Sequence, residues 1–178
     1  MKKIIILFGT RPEFIKLIPL ILLFKKYKSF KVIVCNSMQH KDLIKPFLKF
    51  YKIKINHNLN VFKKKQTLSN LTSKILINFE KIVVKEKPRC VIVQGDTTTA
   101  FAGSLVSFYN NIKCFHIEAG LRTGNIMSPW PEEFNRQVIS KITSHHFTPT
   151  KLTNKNLIDE GVNIKNITMT GNTVIDLL

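Results

Sequence analysis

Asp96 and Glu118 are the acids whose setting suggests chemistry. Each follows a short apolar run, Cys90 to Val93 and Cys114 to Ile117, of the kind that forms a buried parallel strand. Polar Gln94 to Thr99 then reads as a turn into a helix, and Gly120 permits a second turn after Glu118. Two carboxylates at neighbouring strand tips would share one crevice, the place where open α/β sheets bind ligands. Glu132 and Glu133 follow Pro131 in the first turn of a further helix, a position that favours carboxylates on electrostatic grounds alone.

The cations are as selective as the acids. Of 28 basic residues only four are arginine, namely Arg11, Arg89, Arg122 and Arg136, and three of these stand within the polar motifs. Arginine offers a planar fork that lysine cannot imitate, so its use at these points hints at phosphate or carboxylate recognition. Arg11 and Lys16 fall near the start of a helix, where the dipole disfavours a cation unless an anion arrives. Gln39 and His40 follow another strand, and their spacing fits a helix cap as well as a ligand contact.

These residues need an alternating frame to position them. Strands are expected at Ile4 to Phe8, Lys31 to Cys35, Cys90 to Val93, Cys114 to Ile117, Ser144 to Phe147 and Ile164 to Met169. Helices are expected between them, from about Pro12 to Tyr27, Lys41 to Tyr51, Thr67 to Lys85, Thr98 to Tyr109, from Pro131, and from Thr150 to Glu160. The helix from Thr67 shows the clearest stripe, with Leu68, Leu71, Ile75, Phe79 and Ile82 at three- and four-residue steps. The pattern specifies an α/β fold with a doubly wound, mostly parallel sheet. Gly120, Gly124 and Pro129 give the loop from Ala119 to Trp130 the character of a flap.

Composition limits the alternatives. A length of 178 residues and a hydrophobic content of 44% suit one full core without low-complexity linkers. The formal charge of +17 raises a nucleic-acid reading, but the lysines are scattered and no nucleic-acid-binding motif accompanies them. Cys35, Cys90 and Cys114 lack metal-type spacing and read as buried reduced thiols. His145 and His146 read as structural, and His57 as a surface residue without a partner. The apolar stretch Phe14 to Phe24 is interrupted by Lys16 and Pro19 and is short of the roughly 20 residues a bilayer requires. No membrane insertion and a cytoplasmic location are therefore expected.

Five strings in order, Gly9 to Glu13, Gly95 to Thr99, Ile117 to Thr123, Ser128 to Glu133 and Gly171 to Asp176, resemble the non-hydrolysing UDP-N-acetylglucosamine 2-epimerases. That resemblance implies the Rossmann-like N-terminal domain of a GT-B-like two-domain fold. Residues 1–170 would form the domain, and residues 171–178 would begin the crossing to a C-terminal domain absent from this chain. It further implies interconversion of UDP-GlcNAc and UDP-ManNAc by elimination and re-addition of UDP, with no metal or other cofactor.

By the same resemblance the catalytic carboxylates are Asp96, Glu118 and Glu132, while Arg11, Lys16, Arg122 and Arg136 serve substrate binding. Gln39, His40 and Gln66 match a second, allosteric substrate site, with Lys65 where relatives carry arginine. The expected partners are the two nucleotide sugars, with a separately encoded C-terminal half or a second copy of the chain, and no specific nucleic acid. A role in cell-envelope polysaccharide synthesis follows. The competing readings are a catalytically silent UDP-sugar-binding remnant and a basic RNA-associated domain.

Overall fold

A computed structural model describes residues 1–39 and 44–177. The chain alternates β1 (Lys2–Phe8), α1 (Arg11–Lys26), β2 (Phe30–Asn36), α2 (Lys45–Phe50), β3 (His57–Asn58), α3 (Leu68–Glu86), β4 (Cys90–Gln94), α4 (Thr98–Tyr109), β5 (Lys113–Ile117), α5 (Glu132–Ile142), β6 (His145–Thr148), α6 (Lys151–Asp159) and β7 (Ile167–Met169). The seven described strands form one sheet in the order β3-β2-β1-β4-β5-β6-β7. All six pairings are parallel, so the expected mostly parallel sheet is wholly parallel among these strands.

The strand sequences explain that placement. Ile4 to Phe8 and Cys90 to Gln94 are buried along their whole length, as strands covered on both faces must be. One face packs Ile5, Leu7, Val91 and Val93 under α3 and α4. The other packs Ile4, Ile6, Phe8 and Ile92 with Phe14, Leu17, Ile18 and Ile21 of α1. Ile75 and Phe79, from the α3 stripe, are fully buried. Strand order reverses between β1 and β4, and such a reversal splays the connecting turns apart and opens a crevice at the carboxyl ends.

Three expectations need correction. The second helix begins at Lys45 rather than Lys41, and residues 40–43 lie outside the described part. The last strand is shorter than Ile164 to Met169, because Ile164–Asn166 coils into a 3-10 turn before β7. His57 is not unpartnered: it forms edge strand β3, and its Nε2 lies 3.1 Å from Glu86, which Lys3 also holds at 3.0 Å. Among the described residues no helix is long and apolar enough to cross a membrane.

Gly9 is where the frame leaves no room for a side chain. A Cβ there would overlap Thr99 Oγ1 and Ser37 Oγ, which are hydrogen-bonded to each other at 2.8 Å. Thr99 is β-branched and sits in the first turn of α4, so it cannot swing away. Gly9→Ala should destabilise the fold by about 1–3 kcal/mol. A urea titration measures this, and a midpoint matching the parent would show that the β1 turn has slack.

Candidate functional site

A cleft of about 380 Å³ opens at the carboxyl ends of β1, β4 and β5. Lys16, Gln39, Asp96, Glu118 and Glu132 line it, bringing together residues from five separate stretches of sequence. Two turns form its floor. The first joins β1 to α1, and the second joins β4 to α4, whose N-cap Thr97 accepts a hydrogen bond from Ala100 N at 3.1 Å.

Glu13 fastens these turns to one another. Its Oε2 accepts from Gly9 N (3.0 Å), Thr10 N (2.8 Å) and Thr10 Oγ1 (2.8 Å), while its Oε1 accepts from Thr97 Oγ1 at 2.7 Å. The residue is 2% exposed. Burial pushes its carboxyl above the ordinary carboxylate range, against the pull of these hydrogen bonds. Sequence reasoning assigned Glu13 no role, although Thr10 to Glu13 has the spacing of a capping box.

Asp96 lies in the β4–α4 turn under the control of α5. Arg136 Nε and Nη2 donate to Asp96 Oδ2 at 2.8 and 2.6 Å, and Arg136 Nη1 reaches Glu133 Oε2 at 2.9 Å. Asn135 Nδ2 holds the Asp96 carbonyl at 2.8 Å. Asp96 Oδ1 carries no hydrogen bond among the described residues and stays available to accept a proton. Burial raises the Glu133 carboxyl, but bonds from Gln137, Arg136 and Thr123 outweigh it and hold the group below its ordinary range.

Glu118, just beyond β5, has φ of 64°, a left-handed conformation that a non-glycine residue adopts at some cost in strain. Its carboxylate meets Lys16 Nζ at 2.7 Å on both oxygens and Gln94 Nε2 at 2.6 Å, with Asn172 Nδ2 at 3.4 Å. Gln94 and Asn172 were not foreseen as site residues. Glu132, in contrast, has no side-chain partner among the described residues while lining the same cleft.

Apart from Gln39, which lines the cleft, the remaining expected site residues that the structure describes stand apart from this cluster. Arg11 is exposed in the first turn of α1. Arg122 makes a bidentate pair with Glu160 at 2.5 and 2.7 Å and also donates to Ser140 Oγ, so in this arrangement it ties the loop to α6 and does not line the cleft. Gln66 lines a separate cavity of about 190 Å³ with Lys63 and Lys65, its Oε1 buried without a partner among the described residues. Gln39 Oε1 accepts from Thr99 Oγ1 at 2.9 Å beside the cleft. His40 lies outside the described residues.

Behind the cleft, buried His116 has Nε2 2.7 Å from the Gly95 carbonyl. A carbonyl only accepts, so Nε2 carries the proton. Desolvation lowers the pKa of His116 to about 3 and that of neighbouring His146 to about 4. Among the described residues no three His, Cys, Asp or Glu side chains stand together as an ion site.

Carboxylates at a topological switch point, faced by one lysine and held by one arginine, define a Rossmann-like domain suited to proton transfer beside an anionic ligand. The sequence model of the UDP-N-acetylglucosamine 2-epimerase family matches residues 23–178, and the chain belongs to that family. The UDP-N-acetylglucosamine 2-epimerase of Salmonella borreze is 48% identical over all 178 residues, which make up 47% of that protein. The crystal structure of the Neisseria meningitidis enzyme bound to UDP-GlcNAc superposes with a TM-score of 0.94 at 44% identity, covering 98% of this chain and 48% of that one. The Methanocaldococcus jannaschii enzyme in complex with UDP-GlcNAc and UDP gives a TM-score of 0.91 at 40% identity. The chain thus spans about half the length of the relatives it matches.

Two measurements test the site's electrostatics. Arg136→Met would leave Glu133, whose side chain is fully buried, without its cation, and should cost about 3–5 kcal/mol in urea unfolding. A loss under about 1 kcal/mol would show that the pair does not hold α5 to the β4 turn. The two histidines titrate lower when folded than when unfolded, so their contribution is complete above about 6.5 and declines as pH falls toward about 4 for His146 and about 3 for His116. His146→Gln should flatten this acid limb, and an unchanged pH dependence of stability would contradict a buried neutral imidazole.

Proposed function

We propose that the chain is the N-terminal half of a UDP-N-acetylglucosamine 2-epimerase, interconverting UDP-GlcNAc and UDP-ManNAc once a C-terminal half completes the cleft. In this reading residues 1–170 are the domain and residues 171–178 begin the crossing. The observation that carries the proposal is one cleft in which, besides buried Glu13, three carboxylates stand in different states: Glu118 held by Lys16, Asp96 with one oxygen open, and Glu132 with no side-chain partner among the described residues.

The chemistry requires such a set. A carboxylate takes the C2 proton, the C2–H electron pair becomes the C1–C2 double bond, and the C1–O pair leaves with UDP. Re-addition reverses these steps, with the proton returning to the opposite face. One carboxylate cannot serve both faces of C2, so more than one acid must border the sugar. Anionic side chains also stabilise positive charge developing at C1. Arg11 and Lys16 are assigned to the diphosphate, where an anion relieves the unfavourable placement of cations near a helix N-terminus. Arg136 acts by orienting Asp96.

A coupled assay for UDP-ManNAc tests the reading, with the chain alone and mixed with the C-terminal half of a related enzyme. Little turnover is expected alone, since one wall neither grips the leaving group nor excludes water. Activity on mixing should disappear in Asp96→Asn, whose amide cannot accept the C2 proton. Wild-type turnover by folded Asp96→Asn would remove Asp96 from the chemistry, and a mixture that associates yet stays inactive would reject the epimerase assignment.

A further inference from the structure

Glu118 is crowded with donors. A carboxylate offers about four lone-pair positions across its two oxygens. Oε1 receives Lys16 at 2.7 Å and Asn172 at 3.4 Å, and Oε2 receives Lys16 at 2.7 Å and Gln94 at 2.6 Å. All four positions are occupied, so this carboxylate cannot take a proton until a donor withdraws.

The three donors differ in their freedom to do so. Gln94 is 2% exposed at the end of β4. Asn172 is fixed through its own Oδ1, which accepts from Val174 N at 3.2 Å. Lys16 has a side chain 25% exposed, lines the cleft, and carries a compact charge on a flexible four-carbon stem. Its main-chain carbonyl accepts from Thr173 Oγ1 at 2.6 Å, which fixes the root of the stem while the ammonium can turn.

We propose that Lys16 is an exchangeable cation, paired with Glu118 in the arrangement seen here and drawn onto the diphosphate of an arriving nucleotide. Its departure frees lone pairs on Glu118 for the proton that this carboxylate handles in the reaction. Binding of the anion and readiness of the base are thereby coupled through one side chain. The inference deepens the nucleotide-sugar reading above and rests on it, although the exchange itself requires only an anion of diphosphate type.

The test is an NMR titration of the full chain at low ionic strength, with inorganic pyrophosphate and UDP as separate probes. The parent is compared with Glu118→Gln, Lys16→Met and the double variant, each checked for folding by circular dichroism. Glu118→Gln removes the anion that competes for Lys16, so it should bind pyrophosphate about threefold or more tightly than the parent. Lys16→Met should bind more weakly, and the double variant should match Lys16→Met. A folded Glu118→Gln with unchanged or weaker affinity would overturn the exchange, as would parent binding indifferent to Lys16→Met or absent altogether. If pyrophosphate follows the expected cycle while the chain mixed with the C-terminal half of a related enzyme binds no UDP, the exchange stands and the nucleotide-sugar reading fails.

Discussion

The cleft depends on a buried carboxylate that ties together the two turns of its floor. Glu13 takes hydrogen bonds from both turns that build the floor, and among the described residues no cation pairs with it. Burying such a group is unfavourable unless nearly every lone pair is used, and here four donors converge on it. The arrangement also occupies the main-chain N–H groups of Gly9 and Thr10, which in a phosphate-binding turn would be free for a ligand. The carboxylate that ties the floor together thus withdraws two main-chain N–H groups from any ligand.

That constraint gives the cations separate duties. Arg136, with a fixed fork, spans Asp96 and Glu133 and couples α5 to the β4 turn. Lys16, with a mobile point charge, sits over Glu118 in the open cleft. Exchanging the two residue types would lose both properties, since lysine cannot bridge two carboxylates bidentately and arginine is slower to change partners. Arginine thus stands where geometry must persist and lysine where it must change.

The sheet was legible in the sequence because its central strands are continuous apolar runs that no solvent-facing element could tolerate. The α3 stripe was legible for the same reason. Edge strand β3 was not, since two polar residues, His57 and Asn58, carry no period and pair only because β2 offers a free edge. Within the site, Asp96 and Glu118 could be placed at strand tips by counting, but their partners could not. Arg122 meets Glu160 across 38 residues, and Lys16 meets Glu118 across 102. Which carboxylate an arginine selects is decided by the packing of loops and helices, a long-range property that local patterns do not encode. The positive φ of Glu118 is likewise invisible, because no glycine marks it.

Part of the domain faces outward without a partner. Trp130 and Phe134 stand 61% and 41% exposed beside the cleft, next to Phe101 and Pro131 in an adjoining groove. Trp130, Pro131 and Phe134 belong to the loop and first turn of α5, the helix that delivers Glu132 and, through Arg136, holds Asp96. The unsatisfied carboxylate and the uncovered aromatics therefore lie on one short stretch of chain. Covering that stretch would exclude water from Glu132 and bury apolar surface in the same event, so desolvation of the site and association would draw on one free energy. The sheet itself does not call for such a cover, because both of its faces are already packed. The packing of the sheet is thus formed on both faces among the described residues, and a cover on the α5 face would act on the site rather than on this core.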